Sequence, residues 1–242
     1  MKLITNHINS IFTSIQLLAQ GKFLLFFIPG ILVSFLFYIA SALVHFIFDL
    51  LSYTGEIPWI GESLKMGVET VDGWTEVALI YCLQFVVLTL LSPFNTLLSE
   101  KLENHITGSQ FKSGFRQIIK DMMRMIQILL LGLVIDIFLF ILWDLTIANI
   151  FSVDSITPYY LLFINSFWFG FAFYDFSLER HKIASGKSYR FALKNVGYMI
   201  LTGALFTLLL QLPYFGVAIG SVIITMVATL NFLAIQKNKS KV

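Results

Sequence analysis

The 242-residue chain is 57% hydrophobic and only 12% charged, and its formal net charge is +2. Soluble domains carry about 25% charged residues, so a chain with a mean hydropathy of +0.83 cannot cover itself with polar side chains. The composition excludes an ordinary soluble domain and indicates an integral membrane protein. The single cysteine, Cys82, excludes a disulfide framework and a cysteine-based metal site.

Six apolar segments follow one another along what we expect to be a single helical membrane domain, residues 1–242. A helix needs about 20 apolar residues to cross the hydrocarbon core of a bilayer. The last charge-free run is long enough for two helices, so we expect it to fold back near Pro213, because proline interrupts a helix. The predicted segments are 23–51, 77–99, 125–150, 158–176, 196–212 and 214–235.

Basic residues indicate which side of the membrane each connection occupies. Fifteen of the sixteen Lys and Arg residues lie near the chain ends or in the loops 100–124 and 177–195, whereas Lys65 alone lies in the acidic segment 52–76. By the positive-inside rule, both termini and the two basic loops are cytoplasmic. The expected fold is an all-α integral membrane protein with two long spans and two hairpins that either cross the membrane or enter it partway.

Asp136 and Asp144 are carboxylates inside the third segment. A charge at the centre of a membrane helix costs about 2.5–3.5 kcal/mol on insertion scales. We therefore expect Asp136 to face a protein interior or a wet cavity, unless its hairpin is shallow. Asp144 lies near the turn that contains Pro158, which is consistent with a hydrated tip.

The first basic loop has an amphipathic pattern that predicts a helix lying along the membrane interface. Its apolar and basic positions each recur with helical spacing, on different faces. The apolar set is Phe115, Ile118, Ile119 and Met122, and the basic set is Arg116, Lys120 and Arg124. The basic face either binds anionic lipid or forms a vestibule that attracts anions.

Two motifs resemble the signature of the CysZ-type sulfate permease family, which is related to the etoposide-induced protein 2.4 family. The first comprises Pro93-Phe94-Asn95, Leu97-Leu98, Glu100, Leu102-Glu103 and Thr107-Gly108. The second is Tyr174-Asp175 followed by His181-Lys182. The resemblance implies a bacterial cytoplasmic-membrane protein with partly inserted hairpins, homo-oligomeric assembly and sulfate uptake.

The chain departs from the family at the expected anion contact. The family pattern is similar to Gly-x-Arg-Arg, with a proline eight residues after the glycine. Gly21 and Pro29 keep this spacing, but Phe23 and Leu24 stand where the arginines would be. Lys22 is then the nearby cation, and Gly21 and Lys22 are the candidate anion-binding residues.

Several motif residues have a structural and a functional interpretation. Pro93 and Asn95 form either an ion-lining kink near the cytoplasmic mouth or a kink that positions the next helix. Glu100 and Glu103 are expected to pair with basic residues of the loops. The matching residues of the second motif, Asp175, His181 and Lys182, are candidates for the same cytoplasmic layer.

These observations favour a permease or channel for sulfate or another small oxyanion, with membrane lipid and the anion as partners. The alternative is a non-transporting membrane scaffold or envelope factor that shares the fold. An enzyme is not expected, because no Ser/His/Asp arrangement, metal-ligand spacing or phosphate-binding glycine loop is found. We expect no cofactor, no metal and no nucleic-acid partner.

Overall fold

A computed structural model describes residues 2–53, 87–112, 114–143, 145–146, 156–212 and 215–239. The regular structure in these ranges is helical, which confirms the predicted all-α fold class. The helices are α1 (Lys2–Ala19), a short 3-10 helix (Leu24–Phe26), α2 (Phe27–Tyr53), α3 (87–107), α4 (Phe115–Trp143), α5 (Thr157–Arg180), α6 (Ser185–Lys194), α7 (Val196–Leu210) and α8 (Gly216–Lys239). Pro213 and the first part of the segment 77–99 lie outside the described residues.

Among the described residues, two helices are long and apolar enough to cross a membrane, over Ile119–Trp143 in α4 and Gly216–Lys237 in α8. Two further helix pairs pass the same test only when taken together. Helix α1 and Leu24–Ala40 are bent by 102°, and α6 and α7 are bent by 90°. Each pair is either a broken span or a re-entrant loop. The helical membrane fold class is therefore confirmed, and partial insertion of the hairpins stays a prediction.

Helix α1 was not predicted from the sequence. Its polar side chains His7, Ser10 and Ser14 are buried against the protein, whereas large apolar side chains are exposed on the other face. The exposed set is Ile4, Ile8, Phe12 and Ile15. This helix is polar inward and apolar outward, which suits a lipid-facing position, and it lacks the long apolar run that would have indicated it.

The predicted interfacial helix of the first basic loop and the third apolar segment form one continuous helix, α4. The prediction that Arg124 belongs to an exposed basic face, which either binds anionic lipid or forms a vestibule, is wrong. Its guanidinium is mostly buried between α4 and α5, where it pairs with a carboxylate. The amphipathic beginning of α4 and its apolar continuation differ in composition, but both have the spacing of an α-helix. The change in composition therefore does not mean that the helix ends there.

Helix α5 lies at the centre of the core and packs against α4, α7 and α8. Its aromatic residues Phe171, Phe173 and Tyr174 are completely buried. Two glycines bring α5 and α7 into direct backbone contact. A Cβ atom at Gly170 would overlap the Met199 carbonyl, and one at Gly203 would overlap the Ser166 carbonyl. Small residues permit this close approach in membrane helix pairs.

Helices α3 and α5 run in the same direction. Ser99 on α3 contacts Ser177 on α5 through their hydroxyls at 3.2 Å. Further along both helices, Glu103 pairs with Arg180 at 2.7 Å. The second contact lies further toward the C-terminus than the first on both helices, so the two helices are parallel.

Helix α8 is parallel to both. The Ser99 hydroxyl lies 2.7 Å from the Thr229 hydroxyl, and the ring of His181, just past α5, lies 5.1 Å from the Phe232 ring. The three helices therefore end together at one polar layer, and the positive-inside rule predicts that this layer is cytoplasmic.

Candidate functional site

The turn between α1 and α2 brings basic side chains together. Gly21 and Phe23 both have left-handed backbone angles, with φ of +76° and +63°, and the turn exposes Lys22 between them. The Lys22 Nζ atom lies 3.2 Å from Nε2 of His105 on α3. Lys101, also on α3, holds its Nζ atom 5.3 Å from the centre of the Phe26 ring.

This group of basic side chains, Lys22, Lys101 and His105, is called the basic turn. In the part of the chain that the structure describes, no carboxylate lies within 4.0 Å of Lys22 or Lys101. Cations gathered without an acidic partner attract anions. The structure thus places Gly21 and Lys22 where an anion could bind, and it adds Lys101 and His105, whose approach to the turn no local sequence signal could show.

The turn rests on a small apolar cluster formed by α1, α3 and α8. Leu17, Leu98 and Met226 are buried in it, and Phe23 and Phe26 pack against it from the turn. Phe23 and Leu24, which replace the family arginines, therefore differ in placement. Phe23 contributes to the packing and contacts the His105 ring, whereas Leu24 is half exposed.

Glu103 connects α3 to the end of α5. Its Oε2 atom accepts from Arg180 Nε at 2.9 Å, and its Oε1 atom lies 2.7 Å from His181 Nε2. Burial raises the pKa of the Glu103 carboxyl, but the hydrogen bond from His181 and the charge of Arg180 outweigh burial and hold that pKa below its ordinary value. Glu103 is therefore a partner of basic loop residues, as expected. Glu100 is also buried, and its charge acts on Arg180.

Asp175 forms a two-bond ion pair with Arg124. Arg124 Nε donates to Asp175 Oδ2 at 2.7 Å, and Nη2 donates to Oδ1 at 2.6 Å. The same guanidinium also donates to the Ile183 carbonyl and the Ser188 hydroxyl. Most of its donors are thus engaged, which makes a structural clamp between α4, α5 and α6. Arg124 was missed as a partner because it lies 51 residues from Asp175.

Glu179 lies beside this clamp with a different environment. Its Oε2 atom is 3.8 Å from Arg124 Nε, and its buried Oε1 atom has no hydrogen-bond partner among the described residues. Burial and the neighbouring charge of Asp121 raise the pKa of Glu179 to about 8, against the opposing effect of Arg124. Burial also raises the pKa of Asp121, so the two neighbouring carboxyls together favour a bound proton.

Comparison with known families assigns the chain to one of them. Residues 10–235 match the family described as "Sulfate transporter CysZ/Etoposide-induced protein 2.4". The chain belongs to this family. A comparison with curated proteins returned no match.

Membership in the CysZ/etoposide-induced protein 2.4 family confirms the resemblance and makes the chain a multi-pass membrane protein. The family consists of transporter-like membrane proteins rather than enzymes. It includes sulfate transporters and also members that do not transport.

The remaining candidate residues of this CysZ-family chain lie apart from the basic turn. Asp136 is half buried on α4 with Trp168 of α5 beside it, so it faces a neighbouring helix, and its Oδ1 atom has no hydrogen-bond partner among the described residues. Asp144 lies outside the described residues. Lys182 is exposed in the turn after α5, with a left-handed φ of 56°. Pro93 and Asn95 lie within the continuous helix α3 rather than at its end.

Proposed function

We propose that the protein is a permease or channel for sulfate or another small oxyanion in the bacterial cytoplasmic membrane, with both termini cytoplasmic. The observation that carries the proposal is the basic turn, where Lys22 lies beside His105 with Lys101 nearby on α3. Membership in a family that includes sulfate transporters supports it. Homo-oligomeric assembly, implied by the resemblance, is part of the proposal.

The turn offers an anion both charge and backbone donors. The N-terminus of a helix carries partial positive charge and unpaired N–H groups, and the 3-10 helix begins directly after Phe23, with α2 following it at Phe27. Coulomb attraction between unit charges 4 Å apart is about 4 kcal/mol at an effective dielectric constant of 20, before desolvation. Because Lys offers a point charge rather than the planar fork of Arg, binding here should be weaker than at an arginine pair.

Sulfate flux into proteoliposomes tests the proposal. Lys22→Gln should lower the flux at least several-fold, because it removes the central cation of the turn. Leu24→Arg should raise it, because Leu24 is half exposed and a guanidinium there can reach the turn. Lys187→Gln, which removes an exposed cation from α6, is the matched control and should leave the flux unchanged.

A non-transporting membrane scaffold is the second candidate. It is favoured by the commitment of the buried arginines to carboxylates, Arg124 to Asp175 and Arg180 to Glu103, and by Phe23 and Leu24 in place of the arginine pair. A wild-type protein without sulfate flux, combined with a Leu24→Arg variant that gains none, would favour the scaffold.

A further inference from the structure

A row of buried polar side chains lies along α3 and α8, on the N-terminal side of the Ser99–Thr229 contact that joins these two helices. Its members Ser92, Asn95, Thr96 and Thr225 are at most 3% exposed. Among the described residues, the three hydroxyl oxygens and the Asn95 amide nitrogen have no hydrogen-bond partner. We call these four side chains the α3–α8 seam.

The seam hydroxyls differ from other hydroxyls in the same chain. Serine and threonine within helices commonly donate to the carbonyl one turn earlier, and Ser34, Ser166, Thr207 and Thr229 all do so. The seam hydroxyls make no such bond. Because a buried polar group without a partner is costly, this departure at three positions points to a ligand that the seam is built to receive.

Helix geometry gathers the seam on one interface. Ser92, Thr96 and Ser99 follow one another at intervals of three or four residues, so they share a face of α3. Thr225 lies one turn before Thr229 on α8. Because α3 and α8 are parallel and touch at Ser99 and Thr229, Thr225 lies at the level of the turn of α3 that holds Asn95 and Thr96.

The chemistry of the seam favours an anion over a cation. The amide nitrogen of Asn95 can only donate, and a hydroxyl can donate. At the cytoplasmic end, Ser99 accepts from Arg180 Nη2 at 2.8 Å, which adds a positive charge. The nearby carboxylate of Glu103 is paired with Arg180 and His181. The charge of Glu100 interacts with that of Arg180.

We propose that the α3–α8 seam is a second, buried binding site for a small oxyanion that has lost part of its hydration shell. The identity of the anion rests on the proposed function, whereas the seam itself rests on the unpartnered donors. The basic turn collects the anion at the surface, and the seam replaces its lost water with hydroxyl and amide donors inside the bundle.

Cysteine accessibility tests the seam without reference to sulfate flux. In a Cys82→Ser background in proteoliposomes, Asn95→Cys and Thr225→Cys are treated with a small thiol reagent that carries a sulfonate. Leu98→Cys and Ala228→Cys, on the same two helices and equally buried, are the controls. The sulfonate reagent should modify the seam positions at least tenfold faster than the controls, and its ammonium counterpart should show no such preference. Equal rates at seam and control positions would overturn the proposal.

Removal of a single seam hydroxyl is a second test of the proposal. Thr225→Val keeps the side-chain shape and removes a hydroxyl without a partner, so the thermal midpoint in detergent should not fall, whereas sulfate flux should fall at least several-fold. Thr207→Val, which removes a bonded hydroxyl on α7, should keep the flux. Where wild type carries sulfate, unchanged flux in Thr225→Val would also overturn the seam.

The two proposals fail separately. If wild type carries sulfate but the seam cysteines react no faster than the controls, the seam is wrong and the permease stands. If the seam cysteines react preferentially with the sulfonate reagent but wild type carries no sulfate, the sulfate assignment is wrong. The seam then stands as a site for another anion.

Discussion

At the scale of single residues, the clamp between Arg124 and Asp175 makes a clear prediction about stability. Asp175→Asn should lower the free energy of unfolding by about 3–5 kcal/mol, because the buried guanidinium would lose its charged partner. The measurement is the thermal midpoint of the purified protein in detergent. Lys120→Gln removes an exposed cation from α4, the helix that carries Arg124, and should have almost no effect on the midpoint.

The double variant Arg124→Met with Asp175→Leu separates charge from packing. It should be more stable than Asp175→Asn, since apolar pairs of similar size often replace buried ion pairs without loss. If Asp175→Asn and Lys120→Gln have the same midpoint, the clamp does not stabilise the protein.

Glu179 predicts a pH dependence of stability. Its pKa is raised from an ordinary 4.5 to about 8 in the folded protein, so the folded state binds a proton that the unfolded state has released. The stabilisation is fully present below pH 4.5 and is lost as the pH rises through about 8. Unfolding midpoints measured from pH 6 to pH 9 should fall, and Glu179→Gln should flatten this decline.

Glu103 acts in the opposite direction and provides the control. Because its pKa lies below the ordinary value, its contribution is present above pH 4.5 and is lost in acid. Glu103→Gln should therefore leave the decline between pH 6 and pH 9 in place. A decline that is equally steep in Glu179→Gln would contradict the assignment to Glu179.

At the scale of helices, the contact between α5 and α7 depends on two glycines. Gly170→Ala and Gly203→Ala should each destabilise the protein strongly, because the added methyl group would overlap a backbone carbonyl of the facing helix. Gly186→Ala is the matched control, since a Cβ there meets no atom within 4 Å. Because alanine is the better helix former by about 1 kcal/mol, the control should be neutral or slightly stabilising.

Thermal midpoints and the yield of monodisperse protein in detergent would measure these effects. If Gly170→Ala matches Gly186→Ala, the backbone contact between α5 and α7 is looser than the structure shows.

The helices also show what a sequence can predict in a membrane protein. Runs of apolar residues gave the all-α class and the membrane location, because both depend on local composition. The extent of α4 was not predicted, since an amphipathic turn and an apolar continuation look different although they form one helix. Helix α1 was not predicted because its buried face is polar and its apolar face is exposed.

The candidate site was predicted less fully than the fold. Gly21 and Lys22 were named as candidates from the spacing of the family pattern, but His105, which meets Lys22, lies 83 residues away in the chain. The seam could not be predicted either, because a sequence shows that Ser92 and Thr225 are polar but not that their hydroxyls lack hydrogen-bond partners. Contacts between distant segments depend on helix packing, which local patterns do not specify.

At the scale of the whole molecule, the distribution of basic residues predicts the topology. Single cysteines that replace the exposed residues Lys112 and Lys187, in a Cys82→Ser background, should resist a membrane-impermeant thiol reagent in intact cells. A cysteine at Glu62, in the acidic loop, should react, because the positive-inside rule places that loop outside. Reaction at position 187 from outside would contradict a six-segment arrangement with cytoplasmic termini, and lysed cells provide the control for reactivity.

The inverted polarity of α1 has a consequence for the order of biosynthesis. His7 bonds Thr202, which is 195 residues later, and Ser10 bonds Asn231, which is 221 residues later. Helix α1 therefore precedes both of its polar partners in the order of synthesis. Until α7 and α8 have been made, the polar face of α1 lacks these partners, whereas its apolar face can already contact lipid. Packing of α7 and α8 against the polar face of α1 is then a late step of assembly.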